Sequence, residues 1–256
     1  MNPWTYSPAL DIGHSYTKRL ESRDRESGLI EMILHQCVYR AIRFYLRKRH
    51  RLEIIHPERV PESGPRIIVT NHTSHLDALV LGSFLPKGFR DTASPLAAGD
   101  VFFSSPIRSL FSAFFLNALP LRRNAYHGAA LKALRQRLIG SSMILYLFPE
   151  GTRSRSGEMA PFKQGIGTLV AETEIQVVPC WIEGAHHAWP PSRKWPSRGA
   201  LSLHTGQAIA FKDVANDRQG WRQIASTLQD AVGRLNPNNG QPEANADRPK
   251  EAHDAA

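Results

Sequence analysis

The sequence predicts an α/β fold: a mostly parallel sheet flanked by helices, with an N-terminal amphipathic helix. Three observations predict it. Short apolar runs such as Arg66-Ile67-Ile68-Val69-Thr70, Met143-Ile144-Leu145-Tyr146-Leu147 and Ile175 to Glu183 have the length of buried strands. Segments of helical periodicity alternate with them. Two of the runs end in polar clusters, as the strands of an open parallel sheet do where a ligand binds beyond their carboxyl ends.

Met1 to Ser27 is polar and ends in mixed charge, without the basic start, apolar middle and small-residue cleavage site of a secretory signal. From Gly28 to Arg47, Ile30, Leu34, Cys37, Ala41 and Tyr45 recur at helical spacing, while Arg40, Arg43 and Arg47 gather on another face. With Lys48, Arg49 and Arg51 this makes residues 28–51 a basic amphipathic helix. Its apolar stripe suits either the domain core or an anionic lipid surface, and periodicity does not choose between them.

Leu52 to Ile55 reads as a short strand. The turn Pro57 to Pro65 leads into the strand Arg66 to Thr70, after which Ser74-His75-Leu76-Asp77 opens a helix that stops near Pro86. Ser94 to Gly99 is a small-residue stretch with no assigned element. Pro106 to Leu116 reads as a strongly apolar helix, with Phe111, Phe114 and Phe115 suited to core or to an acyl-chain tunnel. Helix Ala129 to Leu138, strand Ser141 to Phe148, helix Phe162 to Ala171, strand Ile175 to Glu183, strand Ala200 to His204 and helix Trp221 to Leu235 follow. Residues 52–235 are expected to form one catalytic domain. Residues 236–256, rich in Asn, Pro, Glu, Asp and Ala, are expected to be a disordered tail.

The formal charge is +9 with a pI near 9.9, which favours an anionic partner: an anionic membrane, a phosphorylated substrate or nucleic acid. No nucleic-acid recognition motif accompanies the charge. Cys37 and Cys180 are the only cysteines and lie far apart, outside any zinc or disulfide spacing. Charge interrupts every long apolar stretch, so any membrane contact is expected to be peripheral.

In the first polar cluster, Asn71-His72-Thr73-Ser74-His75-Leu76-Asp77, an imidazole and a carboxylate stand five residues apart. On one continuous helix they would diverge by ~140°, so His72 must precede the helix and Asp77 must curve back towards it. In that arrangement Asp77 would fix the imidazole tautomer and His72 would deprotonate an alcohol. The same Ser-x-x-Asp spacing fits a helix-capping arrangement worth about 1 kcal/mol. A metal site built on His72, His75 and Asp77 is the weaker alternative, because no further cluster completes it. No Gly-x-Ser-x-Gly elbow or base-paired cysteine supplies a nucleophile, which favours direct transfer.

The second cluster is Phe148-Pro149-Glu150-Gly151-Thr152-Arg153-Ser154. Gly151 allows close backbone approach, Thr152 offers a hydroxyl, Arg153 can grip phosphate with its fork, and Glu150 can accept from a substrate hydroxyl. Taken alone the cluster also fits an ordinary surface turn. Arg122, Arg123, Arg155 and Lys163 can add positive potential.

Together these residues resemble the glycerolipid acyltransferase family, which includes the 1-acylglycerol-3-phosphate acyltransferases. The family's Asn-His-x-Ser-x-x-Asp block matches Asn71, His72, Ser74 and Asp77. Its Phe-Pro-Glu-Gly-Thr-Arg-Ser block matches Phe148 to Ser154 throughout, and a Pro-Phe-Lys-x-Gly segment matches Pro161, Phe162, Lys163 and Gly165. An apolar segment ending in proline matches Val177, Val178 and Pro179. The resemblance covers roughly Ile54 to His204.

It implies that His72 is the general base with Asp77 as its partner, and that Glu150, Gly151, Thr152, Arg153, Arg123 and Lys163 bind the acceptor. It also implies acyl transfer from acyl-CoA or acyl-carrier protein to the free hydroxyl of a lysophospholipid, with 1-acylglycerol 3-phosphate giving phosphatidic acid as the first expectation. Neither cofactor nor metal is required, since the thiolate is a good leaving group, and the enzyme would sit peripherally on the cytoplasmic face of a membrane. One departure stands out: Arg122 occupies a place that is acidic in many members. Another lysolipid, or a hydroxylated aminolipid, is thus a second candidate acceptor, and a catalytically silent lipid-binding protein is the alternative of a different class.

Overall fold

The computed structural model describes residues 29–61, 64–84, 93–98, 119–121, 128–140 and 143–239. In chain order these form helix α1 (Leu29–His50), strand β1 (Glu53–Ile55), a 3-10 turn (Pro57–Arg59), β2 (Arg66–Val69), α2 (Asp77–Phe84), β3 (Ala93–Ala98) and β4 (Leu119–Leu121). Then come α3 (Gly128–Ile139), β5 (Ile144–Leu147), α4 (Gly165–Val170), β6 (Gln176–Glu183), α5 (Ala185–Ala188), β7 (Ser202–Thr205) and α6 (Arg218–Gly233). The expected polar segment 1–27, the helix over 106–116 with its phenylalanines, Arg122, Arg123 and the tail beyond Asn239 lie outside the described residues.

The strands form one sheet in the order β1-β7-β6-β2-β5-β3-β4. Neighbours are parallel except β6 and β7, which run antiparallel. β2 lies between β5 and β6 and is buried along its whole length, which is why it reads as an unbroken apolar run rather than an alternating one. Successive side chains still point to opposite faces. Ile67, Val69, Leu145, Leu147 and Val177 join a core with Leu131, Leu134 and Leu138 of α3, Leu169 of α4 and Leu228 of α6. Ile68, Ile144, Tyr146, Val178 and Cys180 join a second core with Leu46 of α1 and Leu76, Val80 and Leu81 in and before α2.

Two strands were not expected. β3 falls in the small-residue stretch and β4 in Asn117 to Arg123; their sequences, ASPLAA and LPL, contain proline and lack the β-branched run that marks a strand. β4 is the edge strand and β3 lies just inside it, paired with β5 at Ala93 to Pro95 and with β4 at Leu96 to Ala98, so Pro95 is paired on one side only and its missing N–H is tolerated. Hydrogen-bonded turns run through Asn239, into the segment expected to be tail.

The face of α1 that meets the core is not the stripe the sequence picks out. Tyr39 and Leu46 are buried and Ile42 packs beside them, whereas Cys37, Ala41 and Tyr45 are exposed along with Ile33 and Phe44. Tyr39, Ile42, Leu46 and His50 follow one another at spacings of three and four, so the buried stripe has helical periodicity too. A helix with apolar residues on two faces gives the sequence no means of telling which faces the domain.

α4 and α6 approach closely at Gly167, where a Cβ would stand 2.5 Å from the Trp221 Cα. Main chain cannot yield as a flexible side chain does. Gly167→Ala is therefore expected to cost about 1–3 kcal/mol of stability, measured as a lowered denaturation midpoint in urea.

Candidate active site

The register of the sheet brings the two polar clusters together. Val69, the last residue of β2, pairs with Leu147, the last of β5, so the chain leaves both strands at one level and on one edge. The Ser154 amide donates to the His72 carbonyl at 2.8 Å. Asn71 fastens the first loop to β6: its Nδ2 donates to the Ile182 carbonyl at 3.0 Å and its Oδ1 accepts from the Ile182 amide at 2.8 Å. This side chain completes the sheet's hydrogen bonding where β2 has ended.

His72 precedes α2, as the angular argument requires. Its Nδ1 lies 2.9 Å from Asp77 Oδ2, and its ring stacks on Phe148 with centroids 3.8 Å apart. The same Oδ2 accepts from the amides of Thr73 and Ser74, each at 2.8 Å. Capping and pairing with His72 are thus done by one oxygen, and the two readings of Ser-x-x-Asp are compatible. Asp77 is fully buried, while the His72 side chain is 19% exposed. With Nδ1–H donating to Asp77, the Nε2 lone pair is the one left for a proton from outside.

Glu150 is turned inward. Its Oε1 accepts from the His72 amide at 2.6 Å and its Oε2 from the Ala160 amide at 2.9 Å, and the residue is 2% exposed. Burial pushes its carboxyl up to about 7, against the lowering effect of the Ala160 and His72 amides, with nearby Asp77 adding to the rise. The sequence reading gave Glu150 a hydroxyl of the acceptor as its partner; the structure gives both its oxygens backbone amides.

Gly151 has φ +73° and lies under Lys163, whose Nζ would be 2.5 Å from any Cβ placed there. A side chain at residue 151 would need the rarely occupied left-handed backbone and would displace the lysine. Lys163 is held from its main chain by donation to the Pro149 carbonyl at 2.9 Å. Thr152 is exposed beside it.

Sequence reasoning missed His75. The sequence places it among the residues that open the helix, but α2 begins only at Asp77, so His75 lies in the turn before it. Its ring contacts the Arg153 guanidinium and packs at a tilt against Trp189, with centroids 4.9 Å apart. Burial and then the Arg153 charge lower the His75 pKa, which keeps the imidazole neutral and able to accept from Arg153. No local pattern marks a contact between residues so far apart in the chain. Arg123 cannot be placed, since it lies outside the described residues.

An imidazole paired with a buried carboxylate, beside an oriented guanidinium at the carboxyl ends of parallel strands, defines a class of site suited to activating a hydroxyl next to an anionic group. The acyltransferase family model matches residues 51–183, just over half of the chain, and the protein belongs to that family. It is 27% identical over 162 residues to human 1-acyl-sn-glycerol-3-phosphate acyltransferase beta, covering 62% of this chain and 56% of that protein. With the yeast 1-acyl-sn-glycerol-3-phosphate acyltransferase it shares 26% identity over 206 residues, covering 80% and 65%. The chain thus spans between about half and two thirds of the length of these relatives. The fold is similar to the crystal structure of the 1-acyl-sn-glycerophosphate (LPA) acyltransferase PlsC of Thermotoga maritima, with a TM-score of 0.61, 20% identity, and coverage of 83% of this chain and 81% of that one.

Proposed function

We propose that the protein is an O-acyltransferase that moves a fatty acyl group from a thioester donor, acyl-CoA or acyl-carrier protein, to the free hydroxyl of a lysophospholipid, with 1-acylglycerol 3-phosphate as the preferred acceptor. The observation that carries this reading is the Asp77-His72 pair, joined through Nδ1 so that Nε2 is the nitrogen that can take a proton, set beside Arg153. His72 takes the proton of the acceptor hydroxyl at Nε2 as the oxygen attacks the thioester carbonyl. Asp77 holds the tautomer and stabilises the imidazolium that forms. Collapse of the tetrahedral intermediate releases the thiolate, which takes up the proton, so no covalent enzyme intermediate is needed. A thiol with a reference pKa near ~8.5 leaves readily.

Arg153, oriented by His75, binds the acceptor's phosphate, and Lys163 and Thr152 adjoin it over the open backbone at Gly151. Glu150 acts here as a positioning residue that fixes the His72 main chain. The exposed Ile33, Cys37, Phe44 and Tyr45 of α1, together with Arg40, Arg47 and Lys48, suit contact with the anionic cytoplasmic face of a membrane. Among the described residues no helix is long and apolar enough to cross one.

A thiol-release assay with acyl-CoA and with acyl-carrier protein, run across a panel of lysophospholipids, tests the reading. Acceptor-dependent release greatest with 1-acylglycerol 3-phosphate is the expected result. Release that favours an uncharged or zwitterionic lysolipid would reassign the acceptor, and none with either donor would refute the activity. Arg153→Ala is expected to raise the KM for a phosphate-bearing acceptor by about 10–100-fold with a smaller change in kcat, the loss of one charge-assisted contact. An equal loss with an acceptor lacking phosphate would remove Arg153 from that role.

A further inference from the structure

The loop after α5, residues 189–199, projects beside the catalytic loop and carries Trp195, which is 72% exposed. Bonds inside the loop explain why that ring faces outward. The Ser197 amide donates to the Ala188 carbonyl at 2.8 Å, Trp189 Nε1 to the Arg193 carbonyl at 3.0 Å, and Arg193 Nη1 to Ser197 Oγ at 2.7 Å. They draw the main chain and Trp189 inward and leave Lys194 and Trp195 at the tip, with Arg198 also exposed. No acidic residue occurs between Glu183 and Asp213.

Both ends of the loop are fixed. At one end, the Trp189 carbonyl accepts from Ser74 Oγ at 2.7 Å and from the His75 amide at 3.3 Å. Just past the other, the Leu201 amide donates to the His50 carbonyl at 3.0 Å, at the end of α1 whose last turn holds Arg47, Lys48 and Arg49. Hydrogen bonds therefore link the catalytic loop, the Trp195 loop and the basic end of α1.

We propose that the 189–199 loop is an interfacial foot: Trp195 enters the headgroup layer of an anionic bilayer while Lys194 and Arg198 pair with lipid phosphates, holding the rim of the site against the leaflet that carries the acceptor. This rests on the reading of the acceptor as a membrane lipid. An indole has an apolar body and one polar N–H, which suits it to the level of the headgroups, and adjacent cations add attraction to an anionic surface. A single aromatic tip offers too little area for a stable protein interface, which needs on the order of 800 Å² per partner. A bilayer accepts such a tip without a shaped pocket.

The full chain, Trp195→Ala, Trp195→Phe and the double variant Lys194→Gln/Arg198→Gln would be compared on phosphatidylcholine vesicles with and without phosphatidylglycerol. Vesicle partitioning is expected to fall about tenfold in Trp195→Ala. In the double variant it should fall about fivefold per cation removed, on anionic vesicles only. The chain has five tryptophans, so Trp195 is isolated by difference: quenching by lipids brominated near the headgroup should diminish in Trp195→Phe. Unchanged partitioning and quenching in these variants would overturn the proposal. So would salt-sensitive binding of the parent to acyl-carrier protein that is lost in the double variant without any lipid-dependent quenching, since the partner would then be an acidic protein.

Acyl transfer to a short-chain, water-dissolved acceptor should be equal in the parent and Trp195→Ala. Absence of that activity in the parent would count against the acyltransferase reading and leave the vesicle result standing.

Discussion

His72→Ala is expected to lower kcat for acyl transfer by about 10²–10⁴-fold, the range associated with loss of a positioned general base, while the protein stays folded. The effect on stability should be no more than about 1 kcal/mol. The ring is partly exposed and stacked on one side, and the backbone of residue 72 keeps its bonds to Glu150 and Ser154 whatever the side chain. Asp77 behaves differently, because the oxygen that pairs with His72 also caps α2 through Thr73 and Ser74. Asp77→Ala should lose activity and destabilise together, leaving two buried amides without their acceptor. The combined His72→Ala/Asp77→Ala variant should be scarcely slower than His72→Ala, as groups acting as one unit are strongly non-additive. Steady-state kinetics and chemical denaturation of the three variants check this. Near-parental kcat in His72→Ala would remove the general base from the mechanism.

Glu150→Ala should be the most destabilising single change in the second cluster. It strips the acceptor from the His72 and Ala160 amides, each left unsatisfied at a cost of about 1–3 kcal/mol, so a total of about 2–6 kcal/mol is expected. Activity should fall through kcat, because the His72 main chain loses its anchor, with little change in the acceptor KM. A selective rise in KM with stability unchanged would instead return Glu150 to direct acceptor binding.

The carboxyl also makes a pH prediction. Its folded pKa, about 7, is raised above the ordinary carboxylate value of 4.5. Between those values the folded state therefore binds more protons than the unfolded one. The stability this group contributes is fully present below about pH 4.5, declines as pH rises through about 7, and changes little beyond. The melting temperature of the parent should thus fall relative to that of Glu150→Gln, which cannot ionise, between about pH 5 and pH 8. Parallel melting curves across that range would contradict it.

Much of the site was legible in one dimension because its chemistry is packed into two short blocks, each directly following a strand. The apolar runs placed β2 and β5, and the helical geometry of residues five apart required His72 to stand before α2. β3 and β4 were not legible, because short strands made of small residues and proline carry no periodic signature and form by pairing with what lies beside them. Neither was the exposed side of α1, where both faces are apolar enough to be buried and only contact with Leu76, Val80 and Leu81 in the same core selects one.

The sequence by itself determined the fold class, the pairing of His72 with Asp77 at the entry to a helix, and the place of Arg153 in the turn after a second strand. These depend on local order along the chain: strand, turn, cap. Tertiary structure alone decided that Glu150 faces inward to hold the His72 amide, that Asp77 both caps and pairs, that His75 meets Arg153, and that Trp195 is exposed on a loop tied to the turn before α2. Each of those depends on the direction of a side chain relative to a segment distant in sequence, and that direction is set by sheet register and loop packing, which no spacing along one strand encodes.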